Sequence, residues 1–124
     1  MVKRPERRHV ARLSVPAHLS SPGLEAHEVR LVDLSPLGAR IEHFRPLPGW
    51  NTCFLVLPQS LGGVRLQGKA TWSRVVGRKL GAEGEPQLYY QSGLTFLYLK
   101  PDQWAGLTAA LEILQAAQEA RPPE

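Results

Sequence analysis

The sequence predicts an all-β fold, a small antiparallel barrel of roughly six strands with one α-helix at its C-terminal end. Three observations carry this. Short runs of alternating or continuous apolar residues recur along the chain, clusters of Pro, Gly, Ser and Asp separate them, and only the last segment changes to helical spacing.

Leu13, Val15, Ala17 and Leu19 alternate with Arg12, Ser14, Pro16 and His18, which describes a half-buried strand whose proline suggests an edge or bulge position. Ser20-Ser21-Pro22-Gly23 breaks it, and Val29, Leu31 and the stretch up to Leu34 form the next strand. Asp33-Leu34-Ser35-Pro36-Leu37-Gly38 has turn chemistry and leads into a third strand over residues 39–44. Pro46-Leu47-Pro48-Gly49 turns the chain again before the short apolar strand 52–57. Gly62-Gly63 precedes a long extended segment, 64–76, followed by a glycine-rich and charged stretch, 77–86, expected to be loop. Residues 88–99 are rich in aromatic side chains and form the last strand, with Gly93 as its expected bulge. Pro101 suits a first helical turn, and Trp104, Leu107, Leu111 and Leu114 follow at helical intervals.

The length of 124 residues fits one domain, large enough to bury a core without disulfide or metal staples. A single cysteine, Cys53, excludes an internal disulfide framework and any multi-cysteine metal site. The chain holds no apolar run of membrane-spanning length, and its first residues lack the apolar stretch of a secretory signal. A soluble, cytoplasmic, single-domain protein is therefore expected. The charge is unevenly placed. Lys3, Arg4, Arg7, Arg8 and Arg12 stand against Glu6 alone, so the net charge of +4 resides in the first twelve residues. A duplex-binding domain spreads cations over a face; one short arginine-rich arm favours a small polyanion held at one place.

Several motifs carry no chemistry. Gly63-Val64-Arg65-Leu66-Gln67-Gly68-Lys69-Ala70 fits a phosphate loop in outline, but Ala70 stands where a hydroxyl must hold magnesium, and strand follows instead of helix. His9, His18, His27 and His43 lack partners at ligand spacing, so no metal site is expected. Ser35 lacks the surroundings of a nucleophile, and Cys53 lies in an apolar strand. No active site and no cofactor are expected, and Trp72 and Trp104 are expected in the core.

Two features remain. Arg8-His9-Val10-Ala11-Arg12, preceded by Arg7, is an R-x-x-x-R whose guanidinium forks suit phosphate or the O6/N7 edge of guanine. Asp33-x-Ser35-x-x-Gly38 supplies a carboxylate able to accept from guanine N1–H and N2–H₂, a hydroxyl, and a glycine that admits close approach. Taken alone, the second motif also describes an ordinary Asx/Ser turn with its glycine at positive φ.

Together the two motifs resemble the PilZ domain family, bacterial receptors for cyclic di-GMP. The family pattern is R-x-x-x-R followed at some distance by (D/N)-x-S-x-x-G. Gly68-Lys69-Ala70-Thr71-Trp72 and Ser92-Gly93-Leu94-Thr95-Phe96 are similar to later strands of that family, so the likeness extends over residues 6–115. Pro36-Leu37 departs from it, where many members carry an extra glycine. The resemblance implies a PilZ-type barrel over 13–118 behind an arm of residues 1–12, with a tail at 119–124. It implies a receptor and not an enzyme, with Arg8 and Arg12 on phosphate and guanine, Arg7 assisting, Asp33 and Ser35 on a guanine, and Gly38 allowing approach. An arginine at position 7 resembles members that take an intercalated pair of ligands. Output would pass through an unknown protein partner, without nucleic acid or membrane. The main alternative is an adaptor that has kept the fold and binds a protein without nucleotide; a single-stranded nucleic acid binder is the other.

Overall fold

The computed structural model describes residues 11–21, 24–45, 52–81 and 83–119. Six strands form a closed barrel: β1 (Ala11–Ser21), β2 (Leu24–Leu34), β3 (Gly38–His43), β4 (Thr52–Val56), β5 (Arg65–Leu80) and β6 (Pro86–Phe96). Their order around the barrel is β1-β2-β3-β6-β5-β4, with β4 closing on β1 and every pair antiparallel. A single 3₁₀ turn (Gln59–Leu61) links β4 to β5, and α1 (Pro101–Glu119) ends the fold.

Period-two alternation explains the interior. Ala17 and Leu19 of β1, Val29 and Leu31 of β2, Ile41 of β3 and Leu55 of β4 all point inward and are buried. Leu107, Ala110 and Leu111 of α1 join the same core, and Gly106 lets the helix approach Val64, against which a Cβ would come within 2.8 Å. Pro16 pairs with Arg30 on the β2 side, while β4 engages β1 only at His18–Ser20, so the missing N–H lies beyond the reach of the β4 ladder. Cys53 is buried, and desolvation pushes its thiol up to about 11, as a structural cysteine in a core should be.

Five expectations about the elements need correction. The first strand begins at Ala11, so Arg12 belongs to the β1 ladder and not to the arm. β2 begins at Leu24 and not at Val29, because Ser21 already pairs with Leu24 across the hairpin. The stretch 77–86 is strand at both ends and not loop throughout: β5 continues to Leu80 and β6 starts at Pro86. Its glycine is there for packing, since a Cβ on Gly77 would lie 2.9 Å from the Tyr89 ring, which also carries Lys79 over its face at 4.4 Å. The expected bulge at Gly93 is on the other strand; the register skips Thr71 of β5 between Ala70 and Trp72. The last strand stops at Phe96, where Leu97 N–H turns to Gln67 O and Tyr98 adopts φ 56°.

One polar chain crosses the interior. His43 Nδ1–H donates to Arg45 O at 2.6 Å, which makes Nε2 the acceptor for the Ser92 hydroxyl at 2.7 Å. Ser92 in turn accepts from Ser73, also at 2.7 Å. Burial holds the His43 pKa below its ordinary value, with a smaller push the same way from His27 and an opposing one from the Arg45 carbonyl. A histidine depressed in the folded state binds fewer protons there than in the unfolded chain. Stability is therefore full above about pH 6.5 and falls as the pH drops below it. Urea midpoints at pH 5 and pH 7.5 should show this loss, and His43→Gln should lose less on acidification than the unmodified chain does.

Candidate nucleotide-binding site

The turn between β2 and β3 is built by Ser35. Its backbone N–H donates to Gly38 O at 2.9 Å, and its hydroxyl accepts from the N–H groups of Leu37 and Gly38 at 3.2 and 3.3 Å. The serine thus closes the turn locally, the task short hydroxyl side chains perform at such positions. Gly38 does not take the positive φ expected of it; among the described residues the positive-φ glycines are Gly62, Gly63 and Gly84. What its lack of a side chain provides is room for β6. A Cβ at Gly38 would fall 2.0 Å from the Leu94 carbonyl oxygen.

The register aligns five residues across four ladders. Arg12 of β1 lies opposite Asp33 of β2, Asp33 opposite Arg40 of β3, Arg40 opposite Gly93 of β6, and Gly93 opposite Trp72 of β5. Asp33 Oδ2 is ion-paired with Arg40 Nη2. The Trp72 indole lies over Gly93, where a Cβ would sit 2.1 Å from its Nε1, and the Arg74 guanidinium approaches the Trp72 ring at 5.6 Å.

Beside this row opens a cleft of about 770 Å³. Its lining comes from the turn between Asp33 and Arg40, from Trp72 and Gly93–Phe96 on the neighbouring strands, and from Tyr98, Leu99 and Trp104 at the helix end. The lining combines polar side chains, Asp33 and Arg40 among them, with the aromatic rings of Trp72, Phe96, Tyr98 and Trp104. Such a shape suits a ligand with flat rings and a charged backbone. Among the described residues, no three His, Cys, Asp or Glu side chains gather as a metal site would require.

Of the residues singled out in the sequence, Asp33, Ser35 and Gly38 meet at the cleft, and the backbone of Arg12 runs beside Asp33. Arg7 and Arg8 lie outside the described residues. Trp72 and Trp104 are not core: they are 43% and 45% exposed, and both line the cleft. The physical reason is on the opposing strand. Gly93 leaves a shelf on the outer barrel surface, and the Trp72 indole fills it while staying partly exposed. Arg40 escaped the sequence reading altogether. A tight hairpin at 35–38 would have paired it with Asp33, so the signal was the register and not a motif.

Neither a family model nor a curated protein matches this sequence. Solved structures do. The PilZ domain with c-di-GMP of YcgR from Escherichia coli aligns over 89% of this chain and 90% of its own, with a TM-score of 0.67 at 13% identity. The K. pneumonia MrkH–c-di-GMP complex gives a TM-score of 0.72 at 17% identity, covering 98% of this chain, which spans only 56% of that one. The PilZ domain of CeSA from a cellulose-synthesizing bacterium gives 0.57 at 18% identity, over 86% and 98% of the two chains. At such identities the likeness is one of architecture, and the architecture of this chain is that of a PilZ domain.

Proposed function

We propose that this chain is a receptor for cyclic di-GMP, which it binds without chemical change and reports through altered contact with another protein. The observation that carries the reading is the row from Arg12 through Asp33 to Trp72 at the edge of a cleft large enough for a dinucleotide. The structures of YcgR and MrkH that share the fold are described with c-di-GMP. In this reading Asp33 accepts from guanine N1–H and N2–H₂, Ser35 and Gly38 form the adjoining wall, and Arg8 and Arg12 engage phosphate and guanine with Arg7 assisting. Trp72 offers a base the exposed part of its indole.

Calorimetric titration with cyclic di-GMP, beside GTP and a short single-stranded oligonucleotide, tests the assignment. Saturable heat with the cyclic dinucleotide alone is the expected result. Silence with all three would transfer the reading to a nucleotide-independent adaptor, and heat with the oligonucleotide would point to a nucleic acid binder. The stoichiometry extends the same proposal. An intercalated pair of cyclic dinucleotides brings four phosphate charges close together, more than Arg8 and Arg12 alone neutralise. Arg7 supplies the further cation, so two nucleotides should bind each chain and Arg7→Leu should reduce this to one. An inflection at one equivalent for the unmodified chain would remove the pair and leave the receptor assignment in place.

A further inference from the structure

Asp33 and Arg40 both line the cleft, and their ion pair leaves hydrogen-bonding capacity unused. A carboxylate offers about four acceptor positions and a guanidinium five donors, and one contact joins them. Arg40 Nε is buried and has no partner among the described residues. Arg40 itself is held between Asp33 on one strand and Gly93 on the next, with the Trp72 indole beyond. The rim of the cleft therefore presents acceptor oxygens and donor nitrogens side by side, in a fixed order along the row.

We propose that Arg40 is a specificity-determining residue of this site, donating to guanine O6 while its partner Asp33 accepts from N1–H and N2–H₂ of the same base. The proposal rests on the receptor reading above and goes beyond it, since neither motif of the sequence includes Arg40. The Watson–Crick edge of guanine runs acceptor, donor, donor. One guanidinium nitrogen followed by two carboxylate oxygens is its complement. Adenine presents a donor, an acceptor and then a C–H. In the same register its N6–H₂ meets the guanidinium donor, its N1 meets one carboxylate oxygen and its C–H faces the other, so none of the three positions is satisfied. A site built from paired polar groups rejects the analogue that leaves them unpaired.

The test compares cyclic di-GMP with cyclic di-AMP on the full chain and on Arg40→Met and Arg40→Lys. Arg40→Met should weaken cyclic di-GMP binding by about 10- to 100-fold and cyclic di-AMP binding by less than roughly threefold, so that selectivity collapses. Arg40→Lys keeps a cation beside Asp33 but lacks the planar fork, and should behave like Arg40→Met. Equal losses for the two nucleotides would reduce Arg40 to a general cation. Full recovery by lysine would reduce it to a counter-ion for Asp33, and unchanged affinities would remove it from the site. Circular dichroism checks the fold; should the methionine variant fail to fold, the lysine variant with both nucleotides decides alone. Failure of the unmodified chain to bind cyclic di-GMP would overturn the receptor reading and this proposal with it, whereas any of the outcomes above leaves that reading standing.

Discussion

Replacing Gly38 with alanine should destabilise the whole barrel and not merely the turn. The added methyl would be directed at the Leu94 carbonyl oxygen, 2.0 Å away, and within 3.3 Å of the Thr95 Cα. Backbone, unlike the tip of a flexible side chain, cannot step aside without disturbing its neighbours. Gly38 pairs with Thr95 at the start of the β3–β6 ladder, and Phe96 N–H reaches back to Leu37 O in the same corner. Relief of the clash therefore opens a seam of the closed sheet. Overpacking of this kind costs about 1–3 kcal/mol or somewhat more, and in a domain of this size the melting temperature should fall by on the order of 10 °C. Thermal unfolding followed by circular dichroism measures it. A melting temperature within about 2 °C of the unmodified chain would mean that β3 shifts to accommodate a methyl at little cost.

Asp33→Ala should weaken nucleotide binding at least as much as any other single change at the cleft. Two losses coincide: the acceptor for a guanine edge disappears, and Arg40 loses the carboxylate that holds it. A good paired contact to a base contributes about 1–3 kcal/mol, so the dissociation constant should rise by roughly one to two orders of magnitude. Asp33→Asn should be milder, because the amide oxygen still accepts although the charge-assisted contact is lost, and the family pattern that this chain resembles admits Asn at the position. Calorimetry on both variants separates the contributions. Equal damage from Ala and Asn would assign the effect to charge alone, and an unchanged affinity in both would leave Asp33 a structural partner of Arg40.

The sequence shows what depends on alternation and conceals what depends on register. Ala17, Leu19, Val29, Leu31 and Ile41 follow period two and lie inside the barrel as the pattern requires. Gly77, by contrast, looks like a chain breaker and is strand, because its reason for being glycine is the Tyr89 ring on the neighbouring strand. Trp72 shows the same blindness in reverse. An indole in an apolar run is ordinarily core, and only Gly93 across the ladder reveals that this one covers a glycine on the outside. The Asp-x-Ser-x-x-Gly spacing was legible because it is local. Arg40 was not, because its meaning comes from facing Asp33 across β2 and β3.

Helix α1 serves two masters at once: its first turn carries Trp104 to the cleft, while Leu107, Ala110 and Leu111 seal the core one and two turns later. Undocking the helix and dismantling that wall are consequently the same event. Occupancy of the cleft and the opening free energy of α1 are then thermodynamically linked. A ligand at a hundred times its dissociation constant adds about 2.7 kcal/mol against any opening that abolishes its site. The wall residues run from position 33 to position 104, so a chain still emerging from synthesis has no complete pocket until α1 follows the last strand. Binding competence is thereby a late property of folding, and the second messenger proposed here would act as a clamp on the finished molecule.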